Sequence, residues 1–199
     1  MDLKGKHIGF GITGSHCTYS QVVPQVQELV DAGANVTCFV TYTVKNTVTR
    51  FGDGRDWVKK VEEITGNKVV DSIVEAEPYG PKKPLDCMVI APLTGNSMSK
   101  FARAQTDSPV LMAAKATMRN LCPVVLGIST NDGLGLNMAN IAALMAAKNI
   151  YFIPFGQDMP DTKPQSLVAR MDDLKATVEC ALEGKQIQPV LIEKFRDLM

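Results

Sequence analysis

LDCMVIAPLTGNSMSKFARA, residues 85–104, passes from an apolar run through a polar turn into a helix within twenty residues. Cys87-Met88-Val89-Ile90-Ala91 is unbroken and rich in β-branched side chains, the signature of a strand buried on both faces. Pro92 cannot donate to a ladder, so the strand is expected to stop there. Thr94, Gly95, Asn96, Ser97 and Ser99 are small or hydrogen-bonding, and Lys100-Phe101-Ala102 continues as helix. A strand that ends in such a turn and re-enters a helix is where open α/β sheets place ligands, because helix N–H groups converge there. An ordinary capped turn, with Asn96 or Ser97 as N-cap, is the plainer alternative.

Outward from that stretch, strand and helix patterns alternate. Strands are expected at His7–Thr13, Asn35–Thr43, Pro123–Ser129 and Ile150–Phe155, with residues 69–76 a short strand or an irregular edge. Helices are expected at residues 17–32, 56–64, 109–121, 134–148 and 165–183, with Gly33 and Gly184 as C-terminal stops. The alternation predicts an α/β fold: one three-layer, doubly wound, mostly parallel sheet. The 199 residues are read as a single domain, with residues 185–199 a C-terminal extension.

Composition narrows the partners. Lys plus Arg and Asp plus Glu balance at 21 each, so no basic field exists to attract nucleic acid or acidic lipid. No run approaches the ~18 apolar residues of a membrane span, and MDLKGKHIGF lacks a signal peptide's apolar core. The five cysteines are odd in number and show no CxxC spacing, which argues against zinc and against a disulfide framework. A cytoplasmic protein without a metal is expected. Leu134–Lys148 is apolar nearly all round, which suits either a core helix or, as preferred here, a subunit interface.

Gly9-Phe10-Gly11-Ile12-Thr13-Gly14 fits G-x-G-x-x-G by spacing, but Gly9 and Gly11 fall inside the first strand rather than after it. The second strand also ends Val40-Thr41-Tyr42-Thr43, with no acid for a ribose diol. Hydroxyls suit a phosphate better. A mononucleotide phosphate held by Gly14, Ser15 and Thr41 or Thr43 is therefore favoured over a dinucleotide, with an empty glycine-rich turn as the alternative. Asn131 and Asp132, beyond a later strand, are expected on the same sheet edge as Thr94–Ser97.

These residues resemble a flavoprotein family, the homo-oligomeric FMN-containing cysteine decarboxylases and flavin prenyltransferases. Gly11-Ile12-Thr13-Gly14-Ser15 is similar to the family's first phosphate-side turn. Ala91-Pro92-Leu93-Thr94-Gly95-Asn96-Ser97-Met98-Ser99-Lys100-Phe101-Ala102 is similar to its Pro-Ala-Ser-Ala-Asn-Thr flavin motif and the helix after it. Thr130-Asn131 with Met138 and Asn140 partly matches the substrate motif, and Pro164-Gln165-Ser166-Leu167 resembles the start of the last helix in the prenyltransferase branch. The resemblance implies a flavodoxin/Rossmann-like sheet and FMN as cofactor. Gly11, Thr13, Gly14, Ser15, Thr41, Thr43, Pro92, Thr94, Asn96 and Ser97 are the implied cofactor-binding residues.

The chain is also similar to a branch of the family that serves sporulation as one half of a two-component synthase. That likeness implies a partner, the synthase's A subunit, carrying NADP, with which dihydrodipicolinate is oxidised to pyridine-2,6-dicarboxylate. It implies a homo-oligomer, a trimer or assembly of trimers. Asn131 and Lys100 are the candidate substrate residues, with Lys115 and Arg119 further cations. The departures from the family are a missing histidine base between Glu75 and Leu85 and Ser129-Thr130-Asn131-Asp132 in place of Pro-Ala-Met-Asn. No catalytic base is identified. The alternatives are a scaffold protein without cofactor, or an FMN-dependent decarboxylase or flavin prenyltransferase.

Overall fold

The computed structural model describes residues 2–195. Its elements run β1 (His7–Ile12), α1 (Tyr19–Asp31), β2 (Asn35–Val40), α2 (Tyr42–Asn46), β3 (Val48–Thr49), β4 (Gly52–Asp53), α3 (Gly54–Thr65) and α4 (Ile73–Ala76). They continue through β5 (Cys87–Leu93), α5 (Gly95–Ala102), α6 (Pro109–Arg119), β6 (Val124–Thr130), α7 (Met138–Met145), β7 (Ile150–Phe152), β8 (Phe155–Gly156), β9 (Leu167–Ala169) and α8 (Leu174–Leu182).

Five parallel strands lie in the order β2-β1-β5-β6-β7. This is the doubly wound, flavodoxin-like order, whose winding direction reverses between β1 and β5. β5 is buried at every position and β6 at all but its last, as apolar runs covered on both faces must be. Helices α1 and α8 cover one face, and α6 with α4 covers the other. Gly11 in β1 is small for packing reasons. A Cβ there would lie 2.6 Å from Val110 Cγ1 of α6.

Several expected boundaries are corrected. β5 runs through Pro92 to Leu93, with an irregular register between Ile90 and Leu93, so the proline does not end the strand. β2 stops at Val40, and Thr43 lies in the short helix α2 rather than in a strand. Val70 makes one bridge to Phe39, and residues 73–76 are helical. Leu134–Asn137 is a turn, because the Gly135 and Asn137 N–H groups both donate to the Asp132 carbonyl, so α7 starts only at Met138. Residues 165–173 are not α-helix. β9 pairs antiparallel with the upper part of β6, Ser129 facing Val168 and Thr130 facing Leu167, while β7 pairs with the lower part. β8 pairs antiparallel with β9.

Within the expected C-terminal extension, Gln186 bonds both the Phe152 N–H and carbonyl, and the Phe155 N–H donates to Val190 O. Residues 196–199 of that extension lie outside the described residues.

Candidate functional site

The loops after β1, β2, β5 and β6 gather on the rim above the carboxyl ends of the parallel strands. Thr13, directly after β1, is fully buried. Its Oγ1 donates to the Pro92 carbonyl at 2.6 Å and accepts the Thr94 N–H at 2.9 Å. The first turn and the central turn therefore face each other across the switch point.

Thr94 is the N-cap of α5: its Oγ1 accepts from the Ser97 N–H at 3.3 Å. The cap is neither Asn96 nor Ser97, because both already have helical backbone and Thr94 is the extended residue before it. The turn is held from behind. A Cβ at Gly95 would lie 2.5 Å from Asn137 Nδ2, 2.6 Å from Thr130 Oγ1 and 2.8 Å from Asp132 Oδ1. Asp132 accepts from Thr130 and from Asn137, and Asn137 in turn accepts from Asn140. The Asn-Asp turn thus buttresses the central turn.

In front of it opens a cleft of about 290 Å³ lined by Gly14, Thr41, Thr43, Thr94, Asn96, Ser97 and Lys100, with Tyr42, Asp107, Ser108 and Leu111 completing the wall. Lys100 and Asp107 form an ion pair at 2.6 Å. Ser108 caps α6 by accepting the Leu111 N–H at 3.2 Å, so the starts of α5 and α6 both meet this cleft. Hydroxyls, amides, helix N–H groups and one ammonium are a donor set suited to a polyol phosphate. FMN's ribityl phosphate fits it.

A second cavity of about 320 Å³ adjoins on the far side of the Gly14–Ser15 turn. Ser15, Thr18, Ser129, Thr130, Asn131, Asp158, Lys163 and Lys194 are among its lining residues. Ser129 Oγ lies 2.8 Å from Ser15 Oγ and 2.9 Å from Thr18 Oγ1, a hydroxyl cluster joining β6 to the first turn. The cationic side chains on this wall outnumber the acidic one.

The expected site residues are thus divided. Gly14, Thr41, Thr43, Thr94, Asn96 and Ser97 share the first cleft with Lys100, whereas Ser15 and Asn131 face the second. Thr13, Pro92 and Gly11 lie beneath as framework. Lys100 and Asn131, expected to hold one substrate, line different cavities. Lys115 and Arg119 are exposed on α6 and line neither.

Lining residues not anticipated from sequence include Ser108, Asp107, Asp158, Lys163 and Lys194. The Ser108-Pro109 pair carried a usable signal, since serine followed by proline marks a helix start.

Neither histidine lines either cavity. His7 begins β1 at the opposite rim, its Nε2 3.0 Å from Thr37 Oγ1. The His16 ring lies tilted against Tyr19, centroids 4.9 Å apart and planes at 49°, and burial lowers its pKa. Among the described residues both its buried ring nitrogens have no hydrogen-bond partner, so it caps no helix. Cys38 and Cys87 are buried in β2 and β5, and burial pushes the Cys38 thiol up to about 12, so neither supplies a thiolate. Among the described residues no cluster of three or more His, Cys, Asp or Glu could hold a metal ion, and no helix is long and apolar enough to cross a membrane.

Comparison with known proteins agrees with this architecture. Residues 1–182 match the flavoprotein family profile. The B subunit of dipicolinate synthase from Bacillus subtilis (strain 168) is 66% identical over 194 residues, covering 98% of this chain and 97% of that protein. The crystal structure of the dipicolinate synthase B subunit from Bacillus halodurans C superposes with a TM-score of 0.91 at 67% identity, covering 98% of this chain and all of that one (100%). The FMN-dependent cysteine decarboxylase SpaF shares the fold alone, with a TM-score of 0.63 at 17% identity over 92% of this chain and 98% of its own. With the family profile spanning nearly the whole length and a relative this similar, the chain belongs to the flavoprotein family.

Proposed function

We propose that this chain is the flavin-binding B subunit of a dipicolinate synthase. In this reading it carries FMN in the first cleft and the dihydropyridine dicarboxylate in the adjoining cavity. It acts with the A subunit of dipicolinate synthase, which carries NADP, in oxidising dihydrodipicolinate to dipicolinate during sporulation. The observation that carries the reading is the Thr13–Thr94 contact, which sets a phosphate-type cleft and a cation-lined cavity side by side at the switch point. The 66% identity to the B subunit of dipicolinate synthase from B. subtilis supports this reading of substrate and partner.

Within the first cleft, Gly14, Thr41, Thr43 and Lys100 take the phosphate, and Thr94, Asn96 and Ser97 hydrogen-bond the ribityl chain and ring edge. The bound flavin supplies a two-electron acceptor. Asn131, Lys163 and Lys194 face the substrate's carboxylates, where charge-assisted hydrogen bonds orient it. A cysteine-decarboxylase reading is disfavoured because neither histidine reaches either cavity.

A homo-oligomer is part of the proposal. Leu134, Leu136, Met138 and Met145 stand exposed on and before α7, an apolar face suited to a second copy of the chain. The trimer, or assembly of trimers, and the cytoplasmic location follow from the same reading.

The deciding experiment is a visible absorption spectrum of the purified chain with and without added FMN, followed by turnover of dihydrodipicolinate with the A subunit present. A chain that never acquires flavin absorbance yet supports full turnover would leave the scaffold reading in its place.

A further inference from the structure

We propose that Asp158 is the base that accepts the proton lost when the dihydropyridine ring becomes aromatic. The inference rests on the function proposed above and adds the residue that performs its proton transfer. Asp158 lines the second cavity, and among the described residues its buried Oδ1 has no hydrogen-bond partner. A buried carboxylate oxygen with nothing donating to it is costly and uncommon in a folded protein, and it is explained by a donor that arrives with a ligand.

The loop holds this carboxylate in place. Gln157 Nε2 donates to Pro164 O at 2.9 Å, and the Lys163 N–H donates to Met159 O at 2.7 Å, closing a compact turn between β8 and β9. Of the other groups on the cavity wall, Ser15, Thr18 and Ser129 hydrogen-bond one another, the Cys17 thiol contacts the Ser15 and Thr18 hydroxyls at 3.8 and 3.7 Å, Lys163 and Lys194 are cations, and the Asn131 amide is not basic, which leaves Asp158 as the carboxylate. His16, between the wall residues Ser15 and Cys17, lies tilted against Tyr19 and does not line the cavity.

Aromatisation removes hydrogen from two neighbouring ring atoms. From one, the C–H electron pair leaves as hydride to the oxidised flavin, the two-electron acceptor. From the other, only the proton leaves, to Asp158 Oδ1, and its bonding pair becomes the new ring π bond. The two electrons lost by the substrate are those a bound flavin would accept, and the protonated Asp158 carboxyl returns its proton to water.

The test compares the wild-type chain with Asp158→Asn in the FMN-loaded complex with the A subunit, and measures binding of dipicolinate to the chain alone by calorimetry. General base catalysis contributes ~100-fold or more, so kcat is expected to fall by that order while FMN affinity stays unchanged. Removing a negative charge beside a dianion is expected to tighten dipicolinate binding. A kcat loss under about tenfold, or dipicolinate binding no tighter in D158N, overturns the assignment. Should D158N not fold, Asp158→Ser is measured in its place, and a kcat loss under about tenfold there overturns the assignment. A wild-type complex that holds FMN and does not oxidise dihydrodipicolinate refutes instead the function on which the assignment rests.

Discussion

The Thr94 backbone N–H donates to Thr13 Oγ1 at 2.9 Å, joining residues 81 positions apart at the one place where the sheet reverses its winding. The same hydroxyl donates to Pro92 O at 2.6 Å, so it is satisfied twice while fully buried. Thr13→Val keeps the shape and leaves both a buried donor and a buried acceptor unpaired. The expected loss is ~1–3 kcal/mol of stability in denaturant unfolding. Flavin titration is expected to show weaker FMN binding as well, since the two turns no longer hold their spacing. A variant as stable as wild type would mean that the hydroxyl does not bridge the turns.

Gly95 carries the second constraint on that turn. Alanine there would place a carbon 2.5–2.8 Å from three polar side-chain atoms of the Asp132 buttress. Overpacking of this kind costs ~1–3 kcal/mol. Gly95→Ala is expected to lower the unfolding midpoint and to weaken FMN binding together. Gly66→Ala, at an open C-cap with φ of 68° on the far side of the molecule, is expected to affect stability alone. Equal flavin affinities for wild type and Gly95→Ala would argue against the cleft.

Much of this site was legible in the sequence, for a local reason. β5 and its turn announce themselves through an apolar run followed by small polar residues, and Gly11 fails the dinucleotide fingerprint by its position in β1. What was missed depends on partners distant in sequence. Residues 167–169 read as helix because their strand state exists only against the upper edge of β6, which β7 leaves free. Leu134–Asn137 reads as helix until the Asp132 carbonyl captures its N–H groups. Asp158 has no periodic or motif signal. Its unpaired oxygen is a property of the folded loop, and the assignment of Lys100 to one cavity and Asn131 to the other needs the Gly14–Ser15 turn in space.

Lys100 is the cation of the first cleft, held by Asp107 at 2.6 Å. If it takes the phosphate, Lys100→Met is expected to weaken FMN about tenfold or more, since hydrogen bonds to charged groups contribute ~1.5–3 kcal/mol. Riboflavin, lacking the phosphate, is expected to bind wild type and variant alike. Parallel fluorescence-quenching titrations with the two flavins make the comparison. An equal loss for both would place Lys100 at the ring rather than the phosphate.

Proton uptake by the histidines bears on stability. Burial lowers the pKa of His16, and burial is also the largest influence lowering that of His7. As pH falls below the ordinary value of 6.5, the unfolded chain binds protons that the folded imidazoles refuse, so stability present above 6.5 is lost on acidification. His16→Asn removes one of these groups. The drop in unfolding free energy from about pH 7.5 to about pH 5.5 is expected to be smaller in the variant than in wild type. Denaturant curves at the two pH values measure it, and an identical drop would mean that His16 titrates as it does in water.

Leu136 is 93% exposed, and Met138 and Met145 are each more than 40% exposed on the same stretch, although the inward side chains Ile141 and Leu144 are buried. A solvent-facing surface of leucine, methionine and alanine is costly for a lone domain and suits self-association, which the chain's zero net charge does not oppose. The wild-type chain is therefore expected to run in light-scattering chromatography at a multiple of its monomer mass. Leu136→Glu puts a charge in the middle of that surface without touching the core. It is expected to yield folded monomer with an unchanged far-ultraviolet spectrum. If the variant keeps the wild-type mass, copies of the chain meet through a different face.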